Sequence, residues 1–97
     1  CDHCQEATKG FTAKIDRFKD VQILMVTIMQ FDRTKKFYKD YKIADFPNIT
    51  VTRDAIYDLP KFYKVHSIPD VYVYDKNGKL MKHYKKDIPV DEIAALF

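Results

Sequence analysis

Apolar residues in the first part of the chain recur at the spacing of an α-helix, and an uncharged apolar run follows them. Successive members of the first set stand four, four and three residues apart: Ala7, Phe11, Ile15 and Phe18. This spacing places them on one helical face and predicts a helix over residues 2–19. The run from Val21 to Met29 is typical of a strand buried on both faces of a parallel sheet covered by helices.

Helix-like and strand-like patterns continue to alternate in the middle of the chain. Asp32 is a suitable N-cap for an amphipathic second helix, and Ile49–Thr52 is a short β-like segment. The pattern over residues 54–65 predicts a third helix. Pro60 is unfavourable in the middle of such a helix, so Asp58 is a second candidate start, which places Pro60 in the first turn. The residues expected to point inward from this helix are Ile56, Leu59, Phe62 and Tyr63.

The last third of the chain predicts a hairpin and a closing helix. Asn77-Gly78 separates two strand-like runs, and this pair of residues adopts positive φ at little cost. On the returning strand we expect Leu80, Lys82 and Tyr84 to share one face, and Met81 and His83 the other. A helix over 90–97 is expected to bury Ile93, Leu96 and Phe97. The order of elements predicts a single α/β domain over residues 1–97.

Composition and charge exclude several classes of function. The chain has 97 residues, of which 46% are hydrophobic and 32% charged, as in an ordinary globular domain. A net charge of +3 is too weak to indicate a nucleic-acid partner. No apolar run approaches the ~20 residues of a membrane span. Because the chain opens on its most reactive residue, we expect it to be the C-terminal part of a longer protein, so the lack of a signal peptide says nothing about location.

The only two cysteines stand as Cys1-Asp2-His3-Cys4 at the start of the first predicted helix. The free amide hydrogens and partial positive charge of a helix N-terminus favour a thiolate over a thiol. A thiolate is the nucleophile of disulfide exchange, and a second sulfur nearby releases the mixed disulfide that forms. The spacing therefore predicts a dithiol/disulfide redox centre.

Two other interpretations of the pair are weaker. A purely structural disulfide this short would stabilise the fold by only ~2 kcal/mol in the chain-entropy model. A zinc site needs about four ligands, and beyond His3 the chain offers only His66 and His83, which are far apart in sequence. We expect His66 and His83 to be loop and strand-face residues, and we predict neither a metal nor an organic cofactor.

With these motifs the chain resembles the thioredoxin fold, and within it the TlpA/ResA-type thiol–disulfide oxidoreductases, which are related to the AhpC/TSA family. The redox motif matches in type and place. A second match is to the family's segment that runs from a cis-proline through a strand to a turn. Here that segment is Ser67-Ile68-Pro69-Asp70, an apolar strand and Asp75-Lys76-Asn77-Gly78-Lys79. The resemblance covers essentially the whole chain. It implies a thioredoxin-like fold with a central mixed sheet flanked by helices.

The resemblance also implies an activity and a setting. The protein would be a disulfide oxidoreductase that exchanges disulfides with protein or peptide thiols, with an upstream redox partner as electron donor. Such domains work mostly in extracytoplasmic compartments of bacteria, the periplasm or its membrane surface. A membrane tether would then lie in upstream residues. We expect a monomer, with no nucleic acid among its partners.

For the matching positions the resemblance implies separate roles. Cys1 would be the attacking, solvent-facing thiolate and Cys4 the more buried resolving thiol. Pro69 would follow a cis bond, lie against the cysteine pair and expose the main chain of Ile68 for strand-like pairing with a substrate peptide. A plain loop-to-strand start is the alternative for Pro69.

The two residues between the cysteines act in opposite directions. A protonated His3 would stabilise the Cys1 thiolate, and the negative charge of Asp2 would disfavour it. The balance between them leaves the redox potential undecided. The alternative for His3 is an exposed polar residue with little effect.

The sequence departs from the family pattern in two places. The family has a strand before the Cys-x-x-Cys helix, between the strands expected at Val21–Met29 and Val71–Tyr74, and this chain lacks it. Those two strands then have no obvious neighbour, and we expect the missing strand to belong to upstream residues. Asp70 replaces the threonine that commonly follows the proline. Its carboxylate either selects against acidic partners or points away from the substrate groove.

Three competing functions stay open at this point. A peroxiredoxin-like peroxide reductase would use the same fold, with a sulfenic acid on one cysteine. A thiol-based copper carrier would bind metal through Cys1, Cys4 and a histidine, although related copper domains separate the cysteines by three residues. The third is a structural appendage of a larger enzyme with an idle motif.

Overall fold

The protein is a mixed α/β domain, and its computed structural model describes all residues from Cys1 to Phe97. Four helices form: α1 (Asp2–Ala13), α2 (Phe31–Asp40), α3 (Asp58–Tyr63) and α4 (Val90–Ala94). Four strands form: β1 (Ile23–Thr27), β2 (Ile49–Arg53), β3 (Asp70–Tyr74) and β4 (Leu80–Lys85). Short 3₁₀ segments cover Ile15–Phe18 and Ile43–Asp45. The helices and the other three strands follow in the predicted order, and the short β-like segment at Ile49–Thr52 forms a full strand, β2.

The four strands form two separate sheets of two strands each. β1 and β2 are parallel, with Ile23 opposite Ile49. β3 and β4 are antiparallel, with Val71 opposite Tyr84, and the register shifts by one residue between Val73 and Tyr74. The expected single central sheet is therefore not formed, because no strand joins β1 to β3 by hydrogen bonds.

The strand predicted at Val21–Met29 is shorter than expected and is not buried on both faces. In β1 and just beyond it, Leu24 is 58% exposed, Val26 38% and Ile28 52%, while Ile23 packs against the core. Only one face of the strand meets other apolar residues, which produces an alternating pattern of burial. The expectation of a fully buried strand is wrong for this chain.

The core lies between α1, α4 and one face of β3. Its buried members come from these elements and from the 3₁₀ segment after α1: Phe11, Phe18, Val73, Val90, Ile93 and Ala94. The Phe11 and Phe18 rings meet edge to face with their centroids 5.4 Å apart, a favourable arrangement for two aromatic rings. Ile15 packs against this cluster, so the helical stripe predicted from the sequence faces the core.

Several helix boundaries and side-chain directions differ from the predictions. The first helix ends at Ala13, and Gln30, not Asp32, is the N-cap of α2. The third helix begins only at Asp58, the second of the predicted starts. Four apolar residues that were expected inside are exposed: Ile56, Leu59, Phe62 and Phe97. For these residues helical periodicity predicted burial that the fold does not provide.

No helix in the structure combines the length and the apolar character that a membrane crossing needs.

Candidate redox site

The cysteine pair lies at the first turn of α1. Cys1 is the N-cap residue, and its sulfur accepts a hydrogen bond from the backbone N–H of Cys4 over 3.2 Å. The two residues form a disulfide with their Cα atoms 5.2 Å apart. Cys1 is exposed and Cys4 is half-buried. The more accessible sulfur is therefore the one at the N-terminus of the helix, where amide hydrogens and the helix dipole favour negative charge.

The first turn of α1 is anchored from its buried side. The Thr8 hydroxyl donates to the Cys4 carbonyl over 2.8 Å, and Thr8 is the one buried polar residue of the chain. One turn further along α1, Phe11 belongs to the core. The disulfide thus opens a helix that the main apolar cluster holds in place further along its length.

The loop before β3 meets the disulfide, although it lies far away in sequence. The Ile68 carbonyl oxygen is 3.9 Å from the Cys1 sulfur. The peptide bond between Ile68 and Pro69 is cis, as the resemblance implied. The Pro69 carbonyl accepts a hydrogen bond from the Lys86 N–H over 2.9 Å. The structure therefore brings together Cys1, Cys4 and Ile68, three of the residues selected from the sequence, and Pro69 follows Ile68 directly.

Ile68 is exposed and lacks backbone partners at this contact. Ile68 is 60% exposed, and its N–H and C=O take no part in the backbone hydrogen bonds of the turns and loops. An exposed residue with no backbone hydrogen bond therefore lies beside the Cys1 sulfur.

His3 and Asp2 occupy the turn between the two cysteines. The His3 Nδ1 atom lies 3.3 Å from an Asp87 carboxylate oxygen, and the side chains are 43% and 83% exposed. Asp2 is exposed in the first turn of α1. His3 therefore has an acidic partner, which the sequence did not predict, although an ion pair this exposed contributes little to stability.

Asp70 does not face the loop that meets the disulfide. Its side chain is only 5% exposed and forms an ion pair with Nε2 of His83. The Tyr72 hydroxyl donates to the second carboxylate oxygen over 3.1 Å. Of the two alternatives for Asp70, the carboxylate that points away from substrate is the one that the structure supports.

The contact between Asp70 and His83 was missed by sequence reasoning. A bulge next to Tyr74 shifts the β3–β4 register, so that His83 lies opposite Tyr72. It also separates Leu80, which pairs with Tyr74, from the face shared by Lys82 and Tyr84. Counting strand pairs back from the Asn-Gly turn without a bulge does not predict this pairing. The one indication in the sequence was the alternate placement of polar or aromatic residues on β3, at Asp70, Tyr72 and Tyr74.

No group of three or more His, Cys, Asp or Glu side chains is arranged to hold a metal ion. His66 lies exposed in the loop after α3 and His83 on β4, where the sequence placed them.

Comparisons of the chain with protein-family models, with curated proteins and with solved structures found no significant match.

Proposed function

We propose that this protein is a thiol–disulfide oxidoreductase with a thioredoxin-like fold, which exchanges disulfides with protein or peptide thiols through Cys1 and Cys4. One observation carries the proposal. The exposed sulfur of Cys1 opens α1, is bonded to Cys4, and lies 3.9 Å from the carbonyl of the exposed residue Ile68. A reactive sulfur and a free main-chain edge are thus presented side by side.

In the reducing direction the chemistry needs only the two cysteines. The Cys1 thiolate attacks one sulfur of the substrate disulfide, forming a mixed disulfide and releasing the other substrate sulfur as a thiolate that takes up a proton. The Cys4 thiol then loses its proton, and the resulting thiolate attacks the Cys1 sulfur and releases the second substrate sulfur, which takes up a proton. Two electrons pass to the substrate, and the Cys1–Cys4 disulfide remains. A dithiol partner then reduces that disulfide, and the reverse sequence oxidises a substrate dithiol.

The position at the helix N-terminus supports Cys1 as the attacking sulfur. The hydrogen bond from the Cys4 N–H stabilises a thiolate better than a thiol, because the donor meets a full negative charge. Burial supports the complementary role of Cys4, which is less accessible than Cys1 and so meets a substrate only after Cys1 has bound it.

The resemblance to TlpA/ResA-type proteins extends the proposal to cellular context. On that basis we propose an extracytoplasmic bacterial location, thiol or disulfide proteins as substrates, and a separate electron donor. No observation in the structure specifically favours the peroxide reductase, the copper carrier or the idle appendage.

Turnover of a peptide disulfide with dithiothreitol as electron donor tests the proposal, with Cys1→Ser and Cys4→Ser as matched variants. We expect both variants to lose turnover. When the reduced protein is mixed with the peptide in the absence of dithiothreitol, Cys4→Ser should form a mixed disulfide with the peptide, visible by mass spectrometry of the intact protein, and Cys1→Ser should not. Wild-type rates in either variant would exclude the cysteine pair as the redox centre.

A further inference from the structure

A second cluster of ionisable and aromatic side chains lies on the face of the β3–β4 hairpin that turns away from the core. It consists of Asp70, Tyr72, His83 and, from α3, Tyr63. Tyr72 stacks on His83 with ring centroids 4.1 Å apart and planes 14° from parallel. On its other side Tyr72 packs against Tyr63, again at 4.1 Å. The cluster, which we call the Asp70 cluster, therefore joins β3, β4 and α3.

The charge of Asp70 makes this cluster more than surface packing. A carboxylate with only 5% of its side chain exposed has lost most of its water, which is costly unless other groups replace the lost hydrogen bonds. His83 binds one carboxylate oxygen, and the Tyr72 hydroxyl binds the other. Removal of His83 would leave this carboxylate with the Tyr72 hydroxyl as its remaining side-chain partner.

The Asp70 cluster also holds both ends of the loop that meets the disulfide. This loop covers residues 64–69. Tyr63 precedes it, and its ring packs against the Tyr72 ring with the centroids 4.1 Å apart. Asp70 follows it directly. Ile68 in this loop is the residue whose carbonyl approaches the Cys1 sulfur.

We propose that His83 is a positioning residue for disulfide exchange with extended peptides. It binds Asp70, and through Asp70 and Tyr72 it holds the loop so that the main chain of Ile68 keeps its place beside Cys1. This inference rests on the proposed oxidoreductase function. His83 itself touches neither the disulfide nor the substrate, so its effect depends on whether the substrate has a main chain to pair with Ile68.

The test compares two substrates in the 97-residue protein. One is a short peptide closed by an internal disulfide, and the other is hydroxyethyl disulfide, which has no peptide backbone. For His83→Leu we expect KM for the peptide to rise about tenfold, the effect of losing one or two well-placed hydrogen bonds. Turnover of hydroxyethyl disulfide should stay at the wild-type level.

Conservative and control variants separate positioning from folding. His83→Gln should restore KM for the peptide, because the Gln amide nitrogen reaches nearly the same point as Nε2 of histidine. Tyr72→Phe, which keeps the ring but loses the hydroxyl, should also raise KM for the peptide. This variant tests the proposal if His83→Leu does not fold. Lys82→Leu makes a similar polar-to-apolar change beside His83, on the opposite face of β4, and should leave both substrates unaffected.

Each remaining outcome overturns the inference. Equal losses on both substrates would mean that the Asp70 cluster supports the redox centre or the fold as a whole. Unchanged kinetics in His83→Leu and Tyr72→Phe would mean that the loop needs no support from the cluster. If the wild-type protein turned over neither substrate, the proposed oxidoreductase function itself would be wrong. That failure differs from a failure of the His83 proposal, because it is seen in the wild-type protein without any variant.

Discussion

Val90 lies so close to Gly10 that a Cβ atom on Gly10 would come within 2.8 Å of the Val90 Cγ2 atom. Real Cβ atoms essentially never approach another carbon so closely, so either the Val90 side chain or one of the two helices would have to move. The contact joins the middle of α1 to the start of α4. Glycine is a poor helix former, and this close contact explains why α1 has a glycine in its interior.

Gly10→Ala is therefore expected to destabilise the protein. The gain in helix propensity, about 1 kcal/mol, opposes an overpacking cost of typically about 1–3 kcal/mol. We expect a net loss of about 1 kcal/mol in the free energy of unfolding, measured by urea denaturation. In a Val90→Ala background, where the clashing methyl groups are absent, Gly10→Ala should become neutral or stabilising. A Gly10→Ala protein more stable than the wild type would contradict this account.

Asp91 connects α4 to the segment just after α1 through two cations, Lys14 and Arg17, and should make stability depend on pH. Its pKa lies below the ordinary value of 3.8, first because of the hydrogen bond and charge of Lys14 and then because of the charge of Arg17. A lowered carboxyl pKa contributes stability above the ordinary value, and that contribution is lost as pH falls through the lowered value.

Asp91→Asn should therefore unfold at a lower temperature than the wild type at pH 7. The difference should shrink as pH falls below 3.8 and as salt is added, since the groups are solvent-exposed and screened. Thermal unfolding followed by circular dichroism measures both trends. Asp20→Asn is the matched control, because Asp20 forms none of the ion pairs of the structure. Identical pH dependence in the Asp91→Asn and wild-type proteins would disprove the role of this carboxylate.

The hydroxyl groups of Tyr63 and Tyr74 lie 2.7 Å apart and should determine how the hairpin responds to alkali. The hydrogen bond to Tyr74, followed by desolvation, raises the pKa of Tyr63 from 10.0 to about 12. A raised phenol pKa means that the stabilising contribution is complete below pH 10.0 and is lost as pH rises toward about 12.

Tyr63→Phe should lower the free energy of unfolding at neutral pH by about 0.5–1.5 kcal/mol, the net value of one hydrogen bond. The variant should also lose less stability than the wild type as alkali is added, as measured by urea denaturation at successive pH values. Tyr38→Phe, at an exposed position on α2, is the control and should change neither quantity. A wild-type response in Tyr63→Phe would show that this hydrogen bond carries no net stability.

Local spacing was sufficient to predict the order of elements and the place of the cysteine pair. The Phe11–Phe18 stripe faces the core, Gly78 adopts positive φ in the hairpin turn, and Cys1 caps α1. Each of these features depends on residues a few positions apart, whose geometry a helix period or a turn type determines. The loop at Ile68–Pro69 could be identified only through its resemblance to a known family.

What the tertiary structure decided are the contacts between distant residues and the extent of burial. The approach of Ile68 to Cys1 joins positions 67 residues apart, and it depends on how β3 packs against α1. The bulge that places His83 opposite Tyr72 shifts one strand by a single residue, which no periodic pattern reveals. Leu24 and Val26 are exposed because burial depends on which elements are present to cover a face, and not on the hydrophobicity of the residues that form it.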